Sequence, residues 1–380
     1  MDEMQKVLYF ALCSALLLQT GCSLKTANAK DINKNKSVST ITKEVQMSKV
    51  SPKMKEDPLF KPKADLSISA VTFSSSSAVL TTTNLPTDVS GVSYFIWRTA
   101  DGVENGKLFP STENEKDFSF LFGPKEFSGK RGEYQIEVYG KTITGSDELL
   151  AKSTVTFQQH VPILMYHAID EFNGEGLKEL FVTPGNFEAQ MQYLKDNGYT
   201  LLTFEQWGEV NKVNKPILVT FDDGMKNNLN AFHILQKLKD QTFKPTATEY
   251  VIAGYIDSGS YRLSTEDIKE MVNSGIFSVQ SHTMSHADLP KITNFEEELQ
   301  VSKEKIEQVT GKPVIAIAYP YGHFNEQVVE ETKKYYKFAT TTKPGQFIEK
   351  GQPDEFLFMH RVRVSYSTTI KEFAALVETK

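Results

Sequence analysis

Two short segments, each followed directly by side chains that bind metals, constrain the fold of this chain more than any other feature. The first leads into Asp222 and Asp223, and the second leads into His282 and His286. The first is apolar and β-branched and the second is strand-like, so both are predicted to be strands. Because the chain turns where a strand ends, the side chains that follow can face one cleft. The two segments are residues 216–221 and 276–281.

The residue types and their spacing predict a catalytic metal site. His282 and His286 stand at positions i and i+4, and on a helical turn this spacing brings both imidazoles within reach of one ion. Two neutral imidazoles and one carboxylate form a common catalytic ligand set, with positions left open for water and substrate. The second carboxylate is then free to act as a base toward water whose pKa the metal lowers to about 7. The pattern therefore predicts hydrolysis.

Three motifs in the second half of the chain resemble those of a known family. Thr-Phe-Asp-Asp-Gly at 220–224, Ser-His-Thr-Met-Ser-His at 281–286 and Tyr-Pro-Tyr-Gly at 319–322 are similar to the first three motifs of the NodB-homology polysaccharide deacetylases, carbohydrate esterase family 4. The resemblance covers roughly residues 160–380. It implies hydrolytic removal of acetyl groups from N-acetylated sugars with a divalent ion, zinc first and cobalt, iron or nickel as alternatives.

The resemblance also implies a role for each motif residue. Asp222 would be the catalytic base, and the backbone N–H of Tyr321 would stabilise the oxyanion of the tetrahedral intermediate. The metal ligands would be Asp223, His282 and His286. Because aromatic faces stack on sugar rings, the candidate substrate-binding residues are Tyr166, Tyr319, Pro320 and Tyr321.

The sequence departs from the usual family pattern at two places. Ala318 occupies the position at which an arginine usually orients the base, and a downstream Asp-Trp motif is missing. Both absences recur in the circularly permuted branch that resembles the poly-N-acetylglucosamine deacetylases, where an early Tyr-His supplies the catalytic acid. Tyr166-His167 stands at that place, so we predict His167 as the general acid. His360 is the alternative, because the more common branch places its acid histidine late.

The amino-terminal residues predict an exported lipoprotein. A short apolar stretch ends at Gly21-Cys22, so residues 1–22 read as a lipoprotein signal peptide with Cys22 as the lipid-bearing residue. Residues 23–63 are polar and predict a disordered tether. This arrangement implies a lipid anchor in the bacterial cell membrane, on its extracellular face and directed toward the cell wall.

The rest of the chain predicts two further regions of different fold class. Alternating short strands separated by turns over residues 64–158 predict a small all-β, immunoglobulin-like sandwich. Strands and helices alternate over residues 159–380, which predicts a βα barrel. Because that length is short for eight units, it fits the distorted (β/α)7 barrel that the family resemblance implies.

Charge and motif content leave two candidate functions. A net charge of −6 argues against nucleic acid as a partner. The first function is a metal-dependent N-deacetylase of an N-acetylglucosamine-containing polymer, either poly-N-acetylglucosamine or peptidoglycan. The alternative is a glycan-binding surface lipoprotein whose deacetylase site is weak or inactive, which the missing arginine and Asp-Trp motif would suggest.

Overall fold

The computed structural model of this chain describes residues 60–114 and 117–379. The predicted signal peptide, Cys22 and the predicted tether up to residue 59 lie outside the described residues. Among the helices that are described, none combines the length and the apolar character that a bilayer span needs.

The first described region consists of eight antiparallel strands in two sheets of four. The sheet orders are β1-β2-β6-β5 and β4-β3-β7-β8. The strands are β1 (Asp65–Ile68), β2 (Ala78–Thr83), β3 (Val89–Arg98), β4 (Lys107–Pro110), β5 (Thr112–Asn114), β6 (Asp117–Phe122), β7 (Gly132–Thr142) and β8 (Asp147–Phe157).

One apolar core joins these two sheets. Buried side chains alternate with exposed or half-buried ones along β2, as expected for a strand with one face in a core. Leu80 and Phe122 from the first sheet and Tyr134 from the second belong to the same cluster of buried residues. The hydroxyl of Tyr94 donates to the carbonyl of Phe118 at 2.7 Å, so the buried polar group is satisfied between the sheets. The region is therefore a β-sandwich.

The second region alternates parallel strands with helices. Its strands are β9 (Ile163–Tyr166), β10 (Ala168–Ile169), β11 (Phe181–Val182), β12 (Thr200–Leu202), β13 (Pro216–Phe221), β14 (Ala247–Val251), β15 (Phe277–Ser281), β16 (Ala316–Ala318), β17 (Phe338–Pro344) and β18 (Met359–Arg363). Its α-helices are α1 (Pro184–Asp196), α2 (Leu229–Leu238), α3 (Thr265–Asn273), α4 (Ser302–Thr310), α5 (Glu326–Thr332) and α6 (Ile370–Val377).

The parallel sheet closes into a barrel of seven strands. Its order is β13-β14-β15-β16-β17-β18-β9, and β9 pairs with β13 to complete the ring. β12 pairs in parallel with the first three residues of β13. All six residues of β13 are buried, since side chains on one face fill the barrel and those on the other pack under helices. The predicted (β/α)7 barrel is thus confirmed. The predicted domain limits at residues 63/64 and 158/159 stay predictions.

Barrel geometry determines where the motifs lie. Parallel strands bring all their carboxyl ends to one face, and that face carries the active site in barrels of this kind. Asp222 follows β13, His282 follows β15, Tyr319 follows β16 and His167 follows β9. Residues that are far apart in the sequence therefore meet at one rim.

Candidate active site

Asp223, His282 and His286 form a cluster with the dimensions of a metal site. The Oδ1 atom of Asp223 lies 3.5 Å from Nε2 of His282 and 3.6 Å from Nε2 of His286. All three ligand atoms lie within 4.8 Å of one another. Tetrahedral bonds of about 2.0–2.1 Å hold ligand atoms roughly 3.3 Å apart, so the three side chains fit one divalent ion with little movement.

Neighbouring groups hold both imidazoles in the form that binds a metal. Nδ1 of His282 lies 2.8 Å from the carbonyl oxygen of Ala318. A carbonyl can only accept, so Nδ1 carries the proton and Nε2 keeps its lone pair for the ion. Burial lowers the pKa of His286, and the nearby His282 lowers it further, against the opposing charge of Asp223. His286 is therefore neutral at pH 7.

The segment that carries the two histidines is a loop, not the helical turn that their spacing predicts. Thr283 and His286 both have positive φ angles, 67° and 61°, which no α-helix contains. The carboxylate of Glu298 accepts hydrogen bonds from the backbone N–H groups of Met284 and Ser285, each at 3.0 Å. These bonds tie the loop to the helical segment before α4. Both imidazoles face Asp223.

Asp222 is buried and paired with an arginine that the sequence analysis missed. The Nη1 and Nη2 atoms of Arg361 donate to the two carboxylate oxygens of Asp222, both at 2.7 Å. Burial alone would raise the pKa of Asp222, but the charge and hydrogen bonds of Arg361 outweigh it and lower the pKa below the usual carboxyl value. Asp222 is thus an oriented anion, able to accept a proton.

Arg361 on β18 provides the guanidinium group that is missing at Ala318 on β16. Its side chain is fully buried, with Nε donating to the carbonyl of Thr341 at 3.0 Å and Nη1 also donating to the hydroxyl of Thr220 at 3.1 Å. These bonds fix the plane of the guanidinium and, through it, the carboxylate of Asp222. Asp222 therefore has an orienting arginine, although it comes from a different strand.

His167 lies beside Asp222, whereas His360 does not. Nε2 of His167 is 3.9 Å from Oδ2 of Asp222, and the ring is largely buried. His360 alternates with buried Arg361 on β18 and is exposed, so its side chain leaves the opposite face of the strand. Burial lowers the pKa of His167, while Asp222 and Asp223 partly restore it. Its position beside Asp222 therefore favours His167 over His360 as the candidate acid.

Backbone conformations normally avoided by L-residues concentrate at this site. Nine described non-glycine residues have positive φ, and four of them belong to the three motifs: Asp223, Thr283, His286 and Tyr321. Such conformations cost free energy and persist where the surrounding structure imposes them, commonly at functional sites. The turn after Tyr321 needs glycine, because a Cβ on Gly322 would lie 2.1 Å from the hydroxyl oxygen of Thr342.

Three of the four predicted substrate-binding residues are buried, so their side chains do not offer a surface to a sugar ring. Tyr166 and Tyr319 are fully buried, and Pro320 is buried as well. The hydroxyl of Tyr166 donates to Gln190 at 2.8 Å, and its ring stacks on Phe221, so it is a core residue. Only Tyr321 is exposed, with its ring 4.6 Å from that of His286.

A third carboxyl group, Glu249 on β14, is buried close to the two aspartates. Burial raises its pKa well above the usual range, the charges of Asp222 and Asp223 raise it further, and a hydrogen bond from Asn228 opposes the shift. Its surroundings therefore favour the neutral form of Glu249. Its Oε1 atom accepts from Asn228 at 2.9 Å, which ties β14 to the segment after Asp223.

A family model and a solved structure that match this chain are both described as polysaccharide deacetylases. The family model described as polysaccharide deacetylase matches residues 209–337. The crystal structure of BC0361, a polysaccharide deacetylase from Bacillus cereus, is 62% identical and covers 83% of this chain and 100% of its own, with a TM-score of 0.81.

Two further relatives match this chain by sequence. YxkH of Bacillus subtilis, assigned to the polysaccharide deacetylases, is 32% identical over 229 residues, which cover 58% of this chain and 76% of the relative. The poly-β-1,6-N-acetyl-D-glucosamine N-deacetylase of Staphylococcus aureus is 24% identical over 226 residues, covering 51% of this chain and 76% of the relative. With the barrel and the arrangement of its motif residues, these matches show that the chain belongs to the polysaccharide deacetylases, a family of hydrolases in carbohydrate esterase family 4.

Proposed function

We propose that this protein is a metal-dependent N-deacetylase of an N-acetylglucosamine-containing polymer. One observation carries the proposal: three side chains with the spacing of metal ligands lie directly beside an arginine-paired aspartate. Neither half of that arrangement serves hydrolysis alone, because a base needs an activated water and the water needs a base.

The residues divide the reaction between them. Asp223, His282 and His286 would hold a divalent ion, which supplies Lewis acidity to lower the pKa of water and to polarise a carbonyl. Asp222 accepts a proton from the attacking water as its oxygen adds to the acetamide carbonyl carbon. The backbone N–H of Tyr321 donates a hydrogen bond to the resulting oxyanion.

His167 completes the cycle by protonating the nitrogen that leaves. As the C–N bond breaks, the imidazolium gives its proton to the amine and acetate departs. Burial lowers the pKa of His167 and so makes its imidazolium a stronger acid, while the charges of Asp222 and Asp223 oppose that shift. Its 3.9 Å distance from Asp222 supports an acid and a base that serve the same reacting group.

Charge and relatedness support the choice of polymer and location. The Staphylococcus aureus relative is named for poly-β-1,6-N-acetyl-D-glucosamine, and a chain of net charge −6 suits a neutral polymer that becomes cationic as acetyl groups leave. The lipoprotein signal ending at Cys22 supports a membrane-anchored enzyme outside the cell, working on poly-N-acetylglucosamine or peptidoglycan. Zinc is the proposed ion, since two imidazoles and a carboxylate suit it.

Acetate release tests the proposal directly. The purified chain is expected to release acetate from β-1,4- and β-1,6-linked N-acetylglucosamine pentamers or from peptidoglycan, to stop after chelation, and to resume when zinc is returned. His286→Ala should weaken metal binding by more than about 100-fold, whereas His233→Ala, on α2 and packed against Phe232, should leave it unchanged. A fully metal-loaded protein that releases no acetate from any of these substrates would rule the function out.

A further inference from the structure

The loop between β14 and α3 presents two tyrosines at the face that carries the metal ligands. Tyr261 is 79% exposed and Tyr255 is 38% exposed. Arg262 lies with its guanidinium carbon 5.1 Å from the centre of the Tyr255 ring. An exposed group of large side chains on a functional face commonly marks a binding surface. Tyr255, Tyr261 and Arg262 are called the aromatic shelf below.

Local hydrogen bonds hold the aromatic shelf in place. The carboxylate of Asp257 accepts from the backbone N–H and the hydroxyl of Thr265, both at 2.8 Å, which fastens the middle of the loop to the start of α3. The N–H of Ser258 donates to the carbonyl of Tyr255 at 3.0 Å. A surface that is ordered before binding loses less conformational entropy when a ligand arrives.

The aromatic shelf contacts both loops that carry metal ligands. Arg262 donates from Nη1 to the backbone carbonyl of Asp223, and it pairs with Met225 in an antiparallel bridge. On the other side, Gly254 donates to the carbonyl of Met284 at 2.8 Å, and a Cβ at Gly254 would lie 2.5 Å from that oxygen. The shelf is therefore continuous with the wall of the metal site.

A second exposed aromatic ring lies on the opposite flank of the metal ligands. The strand order places β15, which leads into His286, between β14 and β16. Tyr321, which follows β16, is 57% exposed and lies against the ring of His286. The ligands thus have Tyr321 on one side and the aromatic shelf on the other, along the rim of the barrel.

We propose that the aromatic shelf is a sugar-binding subsite for the unit next to the one that is deacetylated. The apolar C–H face of a pyranose ring would pack on Tyr261, beside the Tyr255–Arg262 pair. The inference rests on the proposed function and makes it more specific: the enzyme selects internal units of a polymer, because a disaccharide cannot occupy both flanks of the metal site around its reacting unit.

Substrates of different length test the aromatic shelf. Tyr261→Ala is expected to lower the ratio of kcat/KM for a β-linked N-acetylglucosamine pentamer to that for the N-acetylglucosamine monosaccharide, which cannot reach the shelf from the reacting position, by about 3- to 10-fold, through KM. Tyr261→Phe keeps the ring and should retain most of the ratio. Ile143→Ala, which removes a side chain of similar exposure, 77%, from the β7–β8 hairpin, is the control and should match the wild type.

A binding measurement separates this inference from the proposed function. With Asp222→Asn in both proteins to prevent turnover, Tyr261→Ala should weaken pentamer binding by the same factor in a calorimetric titration. If Tyr261→Ala changes neither the length ratio nor the Kd, the subsite is overturned while acetate release by the wild type still supports the deacetylase. If no acetate is released from any substrate, the deacetylase fails, and the titration alone then decides whether the shelf binds the pentamer.

Discussion

Asp222→Asn is expected to lower kcat for acetate release by about 10²- to 10⁴-fold, because an amide cannot accept the proton of the attacking water. The metal should stay, since its three proposed ligands are Asp223, His282 and His286. Initial rates of acetate release and metal content per chain, measured on the same preparation, check both parts. Loss of turnover with full metal content would assign Asp222 as the base and not as a ligand.

The same substitution also disturbs a buried ion pair, so stability has to be measured beside activity. Asparagine leaves the fully buried guanidinium of Arg361 without its counter-charge, which is expected to cost about 3–5 kcal/mol of unfolding free energy. The double variant Asp222→Asn/Arg361→Met removes both charges and should recover much of that loss without recovering turnover. Wild-type activity in a folded, metal-loaded Asp222→Asn protein would contradict the assignment of the base.

Strands were the part of the fold that local sequence patterns predicted well. The segment 216–221 was expected to be a strand ending at the two aspartates, and β13 is Pro216–Phe221. The segment 276–281 was expected to end before the histidines, and β15 is Phe277–Ser281. Both predictions rest on short apolar runs followed by polar residues, a signal that needs no knowledge of distant contacts.

Arg361 could not be predicted, because its role depends on a contact between residues far apart in the chain. It lies 139 positions after Asp222, and only the closure of the barrel through β18 and β9 brings the two together. An arginine in a short strand gives no sign of which way it points. The missing arginine of the third motif was one of two reasons to expect an inactive site. That reason no longer holds, because Arg361 orients Asp222.

Two other predictions were wrong for residues at or just after the ends of strands: the helical turn of the histidines and the exposure of two tyrosines. The spacing of His282 and His286 fits a helical turn, but positive φ angles bring the imidazoles together by another route. Tyr166 and Tyr319 lie next to functional residues in sequence, yet each side chain points into the core. Neighbours along a strand or turn alternate in direction, so closeness in sequence to a catalytic residue does not place a side chain in the cleft.

Arg361→Met is expected to move the acidic limb of the pH profile of kcat/KM to higher pH. In the wild type the guanidinium outweighs burial and lowers the pKa of Asp222, so the base is ionised throughout the neutral range. Without that charge, burial remains and raises the pKa, so Asp222 becomes protonated at a pH where the wild-type residue is ionised. Each unit of increase in the pKa of Asp222 moves the acidic limb of the kcat/KM profile by about one pH unit. Rates measured across the pH range would show this shift.

Stability should respond to the same change with a predictable sign. Because the wild-type pair lowers the pKa of Asp222, its contribution is present above the unfolded carboxyl pKa of about 3.9 and is lost as the pH falls through the folded value. Arg361→Met should therefore cost about 3–5 kcal/mol near neutral pH and progressively less in acid. Arg361→Lys keeps the charge but not the two parallel hydrogen bonds. The acidic limb of its kcat/KM profile should therefore lie between those of the wild type and of Arg361→Met. An unshifted limb in Arg361→Met would mean that Arg361 does not control the base.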